Sequence, residues 1–251
     1  MTTLVRSELL KLRTVPMTAW LLTATLLVVV LEVLAFVLGS GQGSGLGQLH
    51  DPELLSFAVA SASAGDVVVL VLGVLALSHE FRFGTATSTF LVTPKRGHVV
   101  GAKLIAVSLV GLAFALVSMV VAVPLSVWLI GLRGGTVTWD RHVGEALAAA
   151  ALVMVMYGPL GIAIGALVRN QVAAIVGALT WLLVIDGVLA AFLPDVERWT
   201  PGGATGAVLQ IGTWTGTEHM LPQWLGGLVL VGWTALFAVV GTRVAVGRDI
   251  T

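Results

Sequence analysis

Six runs of 22 to 27 residues carry at most one Asp, Glu, Lys or Arg each: Met17 to Leu38, Phe57 to Ser78, Leu104 to Ile130, Val143 to Val168, Val172 to Leu193 and Leu225 to Val246. A bilayer core of about 30 Å is crossed by roughly 20 apolar residues in helical conformation, so each run is long enough to span. A barrel strand needs only about ten residues and alternates polar with apolar, which these Leu-, Val- and Ala-rich runs do not. The expected fold is therefore an all-α integral membrane protein with six transmembrane helices. Composition agrees, since only 10% of the 251 residues are charged against 57% hydrophobic, where soluble chains carry about 25% charged. The first run, with 22 residues, exceeds the 7 to 15 of a signal-peptide core and is expected to be retained. Segments between the runs are short, which predicts one transmembrane domain over residues 1–251.

Thirteen Lys and Arg balance thirteen Asp and Glu, so no net charge argues for nucleic acid. Placement is more informative. One end of the bundle receives Arg6, Lys11, Arg13, Arg82, Lys95, Arg96, Lys103, Arg169, Arg243 and Arg248, whereas the other receives Arg133, Arg141 and Arg198. The positive-inside rule then places both termini in the cytoplasm.

The connections carry further information. Residues 1–16 place Val5, Leu9 and Leu12 at helical spacing ahead of Pro16, which predicts an amphipathic helix at the cytoplasmic interface. Residues 79–103 form the longest inner connection, with Gly84 suited to a turn and Pro94 to a break. On the outer side, Gly39 to Gly47 holds five glycines and reads as a tether; no Lys-Ser/Thr follows to make a phosphate loop. The outer segment 194–224 is too apolar for a free loop and is expected to re-enter the membrane beside the bundle, with Trp199, Trp214 and Trp224 at the interface.

Three carboxylates lie well inside the runs: Glu32, Asp66 and Asp186. Each costs roughly 2.5–3.5 kcal/mol at a helix centre, and no Lys or Arg lies deep in any run to neutralise it. They either line a pathway favouring a cationic or hydrogen-bond-donating substrate, or serve as structural acids bonded to hydroxyls and backbone. Gly161 and Gly165 form a Gly-x-x-x-Gly spacing that permits one close helix pair.

Motifs for chemistry are absent. With no cysteine, disulfides, thiolate metal sites and thiol nucleophiles are excluded. His79-Glu80 lacks the second histidine of a zinc motif, and the five histidines are scattered, so no metal site is expected. Glu218-His219 could form an outer catalytic pair, but an interfacial role is the simpler reading.

Taken in order, Ser7-Glu8-Leu9-Leu10-Lys11-Leu12-Arg13, Glu80-Phe81-Arg82-Phe83-Gly84-Thr85 with Pro94 and Lys103, and Leu160-Gly161 through Val168-Arg169-Asn170 resemble the membrane subunit of a bacterial ABC type-2 exporter. The resemblance implies that residues 1–16 are an elbow helix and that 79–103 is the coupling loop that docks on a separate ATPase, with Glu80, Arg82, Gly84 and Thr85 as coupling positions. It implies two permease copies, identical or different, and two ATPase copies that bind the ATP and Mg, with no catalytic residue or cofactor in this chain. It further implies efflux of a drug, antibiotic or peptide across a bacterial inner membrane. The competing reading is an ion-coupled secondary carrier that titrates Glu32, Asp66 and Asp186; no repeat between the two three-helix halves supports it.

Overall fold

A computed structural model describes residues 1–41, 48–82, 96–168, 170–212 and 220–247, without the side chains of 79–82, 96 and 241–247. Among the described residues every regular element is helical. Six helical stretches are long and apolar enough to cross a membrane: Pro16–Gly39, Leu54–Ser78, Gly97–Leu132, Arg141–Leu167, Gln171–Phe192 and Gln223–Val240. These match the six expected spans to within a few residues, apart from the third, which begins earlier. The end of the bundle that carries the N-terminal helix is called the near end below, and the opposite one the far end.

The N-terminal helix α1 (Thr2–Thr14) stops where Pro16 forbids its predecessor the helical region. Val15 is accordingly extended, and Pro16 opens α2 (Pro16–Gly39), the first span, from a position where no amide is needed. Thr18 clasps the corner by donating from Oγ1 to the Leu12 carbonyl at 2.5 Å. At the far end Arg133 donates to the carbonyls of Val37 and Ser40, placing a cation on the negative pole of α2.

The second span is not one helix. It comprises α3 (Leu54–Ala60), a tight 3-10 turn at Ser61–Ser63 and α4 (Asp66–Arg82). The third span belongs to the 37-residue α5 (Arg96–Leu132), with Pro124 inside it. The fourth is α6 (Arg141–Leu167), capped by the Asp140 carboxylate on the Val143 amide at 3.2 Å. Asn170 caps α7 (Gln171–Thr180). A π turn at Trp181–Ile185 then joins α7 to α8 (Asp186–Phe192), which completes the fifth span. The short α9 (Pro194–Glu197) and α10 (Pro201–Val208) follow at the far end, and α11 (Gln223–Gly247) is the sixth span.

The second and fourth spans form the centre, with 72% and 61% of their most apolar windows buried against 33% or less for the other four. Glycine permits that centre. A Cβ on Gly161 would collide with the Leu70 carbonyl, and one on Gly73 with the Gly158 carbonyl, so α4 and α6 meet backbone to backbone. Gly165 lies against Val74 on the same seam. The Gly-x-x-x-Gly expectation thus finds its partner in the second span.

Candidate functional site

At the near end, α1 turns Leu9 and Leu12 toward the bundle, where they pack with Val69, Leu72, Leu77, Ala106 and Val107. Arg6, Lys11 and Arg13 face outward. Glu8 shares the inward face, three residues after Val5 and four before Leu12, and is 5% exposed. Its Oε2 accepts from Lys103 Nζ at 2.6 Å, and its Oε1 accepts from Lys11 Nζ at 2.6 Å. Lys103 is itself 3% exposed and also lies 3.4 Å from the Ala76 carbonyl of α4. One ammonium therefore ties together the N-terminal helix, the second span and the third.

This arrangement corrects the reading of Lys103 as a loop cation. Helix α5 begins at Arg96, so Lys103 lies two turns inside it, and α4 continues through Arg82. The stretch expected to be a loop over 79–103 is helical at both ends. Burial pushes the Glu8 carboxyl up, but Lys103 and then Lys11 outweigh it and hold the group below its ordinary 4.5. The pair is thus a charged one.

Of the four expected coupling positions, Glu80 and Arg82 fall on the last turn of α4, Glu80 one turn beyond Ala76. Their side chains, and Gly84 and Thr85 altogether, lie outside the described residues. So do Glu218, His219, Trp214 and the greater part of the Gly39 to Gly47 tether.

The three membrane carboxylates occupy different settings. Asp186 is 5% exposed and its Oδ2 accepts the Gly202 amide at 3.1 Å, at the N-terminus of α10. A Cβ at Gly202 would strike that carboxylate, which explains the glycine. Helix α10 is further fastened by the Thr200 cap on Gly203, by Tyr157 Oη at 2.9 Å from Thr205 Oγ1, and by Gln223 donating to the Val208 carbonyl at 2.9 Å. Glu197, just outside α10, is pushed above its usual range by burial and by the Asp186 charge. Trp233 donates to the Trp199 carbonyl at 2.7 Å. The segment from 194 is thus packed on the bundle over its described part, while Trp199 and Trp224 stay exposed.

Asp66 opens α4 immediately after the broken turn and accepts its neighbour Val67's amide through Oδ1. Glu32 lies on the exposed side of α2, among Leu27, Val28 and Leu31, which are also exposed. Among the described residues no three of His, Cys, Asp and Glu converge as metal ligands would.

A helical bundle of six spans, with a helix laid across its near end and pinned by a buried ion pair, defines a multi-pass membrane protein. Its described residues carry no nucleotide-binding motif. Residues 4–187 match the family model described as ABC-2 family transporter protein, and the chain belongs to that family. The match takes in α1 from Leu4 onward, the first four spans whole, and the fifth as far as the residue after Asp186. The resemblance drawn from the motifs is therefore the right family, and the chain is an ABC permease of the membrane. No curated protein matches it.

Proposed function

We propose that this chain is the membrane-spanning subunit of an ATP-driven exporter, forming half of a pathway completed by a second permease copy. The near end faces the cytoplasm, where a separate ATPase binds ATP and Mg and docks on residues 79–103. The observation that carries this reading is the three-way junction at Lys103. A push on Glu80 and Arg82 at the end of α4, or on the start of α5, is felt by α1 within one or two helical turns. Packed helices joined by a buried ion pair move together rather than bending. The charged pair Glu80 and Arg82 orients the partner, Gly84 provides the turn and Thr85 a cap. The cargo is a drug, antibiotic or peptide, and the membrane is a bacterial inner membrane, in keeping with a chain rich in Ala, Gly and Val.

Gentle detergent extraction of the tagged chain from native membranes tests this. Co-purification of an ATPase, with retention weakened at least ~10-fold by Glu80→Ala and Arg82→Ala together, is the expected result; loss of one or two charge-assisted contacts supports that size. A chain recovered alone that catalyses ion-coupled uptake in liposomes overturns the exporter and favours the carrier.

A further inference from the structure

At the far end, α3, α6, α10 and α11 leave an open cavity of about 320 Å³ between them. Its polar lining comes from helix ends: Glu53 and Ser56 at the start of α3, His142 at the start of α6, Gln210 just after α10, and Gln223 as the first residue of α11. The cavity therefore sits at the level of the membrane's aqueous boundary rather than in its hydrocarbon. Its size is at the lower end of small-ligand pockets, which begin at about 300 Å³.

Glu53 occupies the N-cap position of α3 without capping it through its side chain. Its amide donates to Asp51 Oδ1 at 2.9 Å, and its carbonyl accepts from Ser56 Oγ at 2.6 Å. The backbone is thus held on both sides, while the carboxylate accepts no hydrogen bond and joins no ion pair among the described residues. Arg141, beside His142 in sequence, is held by Glu145 at 2.5 Å, and His142 Nδ1 lies 3.6 Å from the same carboxyl group. Gln223 donates from Nε2 to the Val208 carbonyl at 2.9 Å. A carbonyl only accepts, so the orientation of that amide is fixed and Oε1 remains as an acceptor. Ser56 gives its proton to the Glu53 carbonyl and keeps only lone pairs to offer. Three residues of the cavity wall thus retain the capacity to accept.

Gln210 supplies an independent sign. Its φ of 57° lies in the left-handed region, where it is the one non-glycine among the described residues. Gly or Asn ordinarily ends a helix in this way, and backbone strain of this kind collects at ligand-binding sites. A glycine would close α10 without strain but would take a side chain from the cavity wall.

We propose that this cavity is a far-end binding site for a small organic ammonium compound, complete within one copy of the chain. A primary ammonium carries three donors and no acceptor, the complement of what Glu53, Gln223 and Ser56 offer. Phe57, Val208 and Leu209 form apolar wall, which suits a ligand with an apolar body and places a ring near its charge. An anion would meet the Glu53 carboxylate with no Lys or Arg in the wall. A metal ion would find one carboxylate and one imidazole, and no third His, Cys, Asp or Glu joins them among the described residues. Neither the near-end junction nor residues 79–103 take part, so the inference is independent of the exporter reading.

The probe is tritiated 2-phenylethylamine, measured by equilibrium dialysis on the full chain in nanodiscs of zwitterionic lipid, against empty nanodiscs of the same lipid. Saturable binding is expected, weakened at least ~10-fold in Glu53→Gln by loss of a charge-assisted hydrogen bond. That side chain does not cap α3, so the variant should unfold at the native temperature. Ala146→Leu fills the cavity, which Ala146 lines, without altering charge, and should abolish binding. Gln210→Gly should weaken binding while raising thermal stability, a combination that a purely structural role for Gln210 does not give. The uncharged 2-phenylethanol should fail to compete. Native affinity in Glu53→Gln or in Ala146→Leu, equal competition by 2-phenylethanol, or no excess over empty nanodiscs overturns the site.

Discussion

A carboxylate and an ammonium 95 residues apart in sequence, both almost fully buried, hold α1 to the third span. Removing one member of such a pair strands the other, at a cost of about 3–5 kcal/mol. Glu8→Gln and Lys103→Met should each lower thermal stability in detergent more than the double variant does, with a coupling energy of about 1–3 kcal/mol from the cycle. Lys11, half exposed, should matter little. The pH dependence follows from the sign of the Glu8 shift. Its carboxyl titrates below 4.5 when folded, so the stabilisation is complete above that value and declines as pH falls through the lower folded value. Hydrogen exchange of α1 should accelerate over that acid range in the native chain, and Glu8→Gln should remove the dependence. An unchanged exchange profile in Glu8→Gln contradicts the pairing. Part of this junction was legible beforehand. Glu8 shares a helical face with Val5, Leu9 and Leu12, and an acid on an apolar face asks for a partner. The partner was not legible, because counting Lys103 among loop cations assumes that every lysine near a span end reaches water.

At the scale of elements, helix starts follow local chemistry closely. Pro16 marks a boundary that the structure keeps, and Asp140, Asn170 and Thr200 stand at the starts of three further helices. The break in the second span was hidden inside an apolar run, since hydropathy does not distinguish a continuous helix from two halves joined by a tight turn. The signal lay in Ser61, Ser63 and Gly65 falling within five residues. The start of α5 was also missed, because Lys103 ended the apolar run while the helix continued. The glycine spacing, by contrast, told of a close approach without naming its partner. Gly161→Ala places a Cβ into the Leu70 carbonyl and should cost about 1–3 kcal/mol, as overpacking does. Gly177→Ala, with open space at its Cβ inside α7, should instead raise stability by about 0.5–1 kcal/mol. Thermal unfolding of both variants in one detergent checks the contrast.

For the molecule as a whole, six spans and the family were readable from apolar run lengths and the order of a few charged motifs. What holds the near end together was not, because it depends on contacts between distant segments. Under the proposed function, motion applied at the near end should reach the far end through the junction of α1 with the second and third spans. Because the chain has no cysteine, a single cysteine at Leu38, exposed toward the far end of α2, reports on that motion without background from this subunit. The direct measurement is its maleimide labelling rate in the ATPase complex, with and without ATP and Mg. ATP should change that rate in the native background. In the Glu8→Gln, Lys103→Met double variant the ATPase should remain bound and hydrolyse at its basal rate while the ATP effect on labelling disappears. An ATP effect of undiminished size in that variant would contradict the claim.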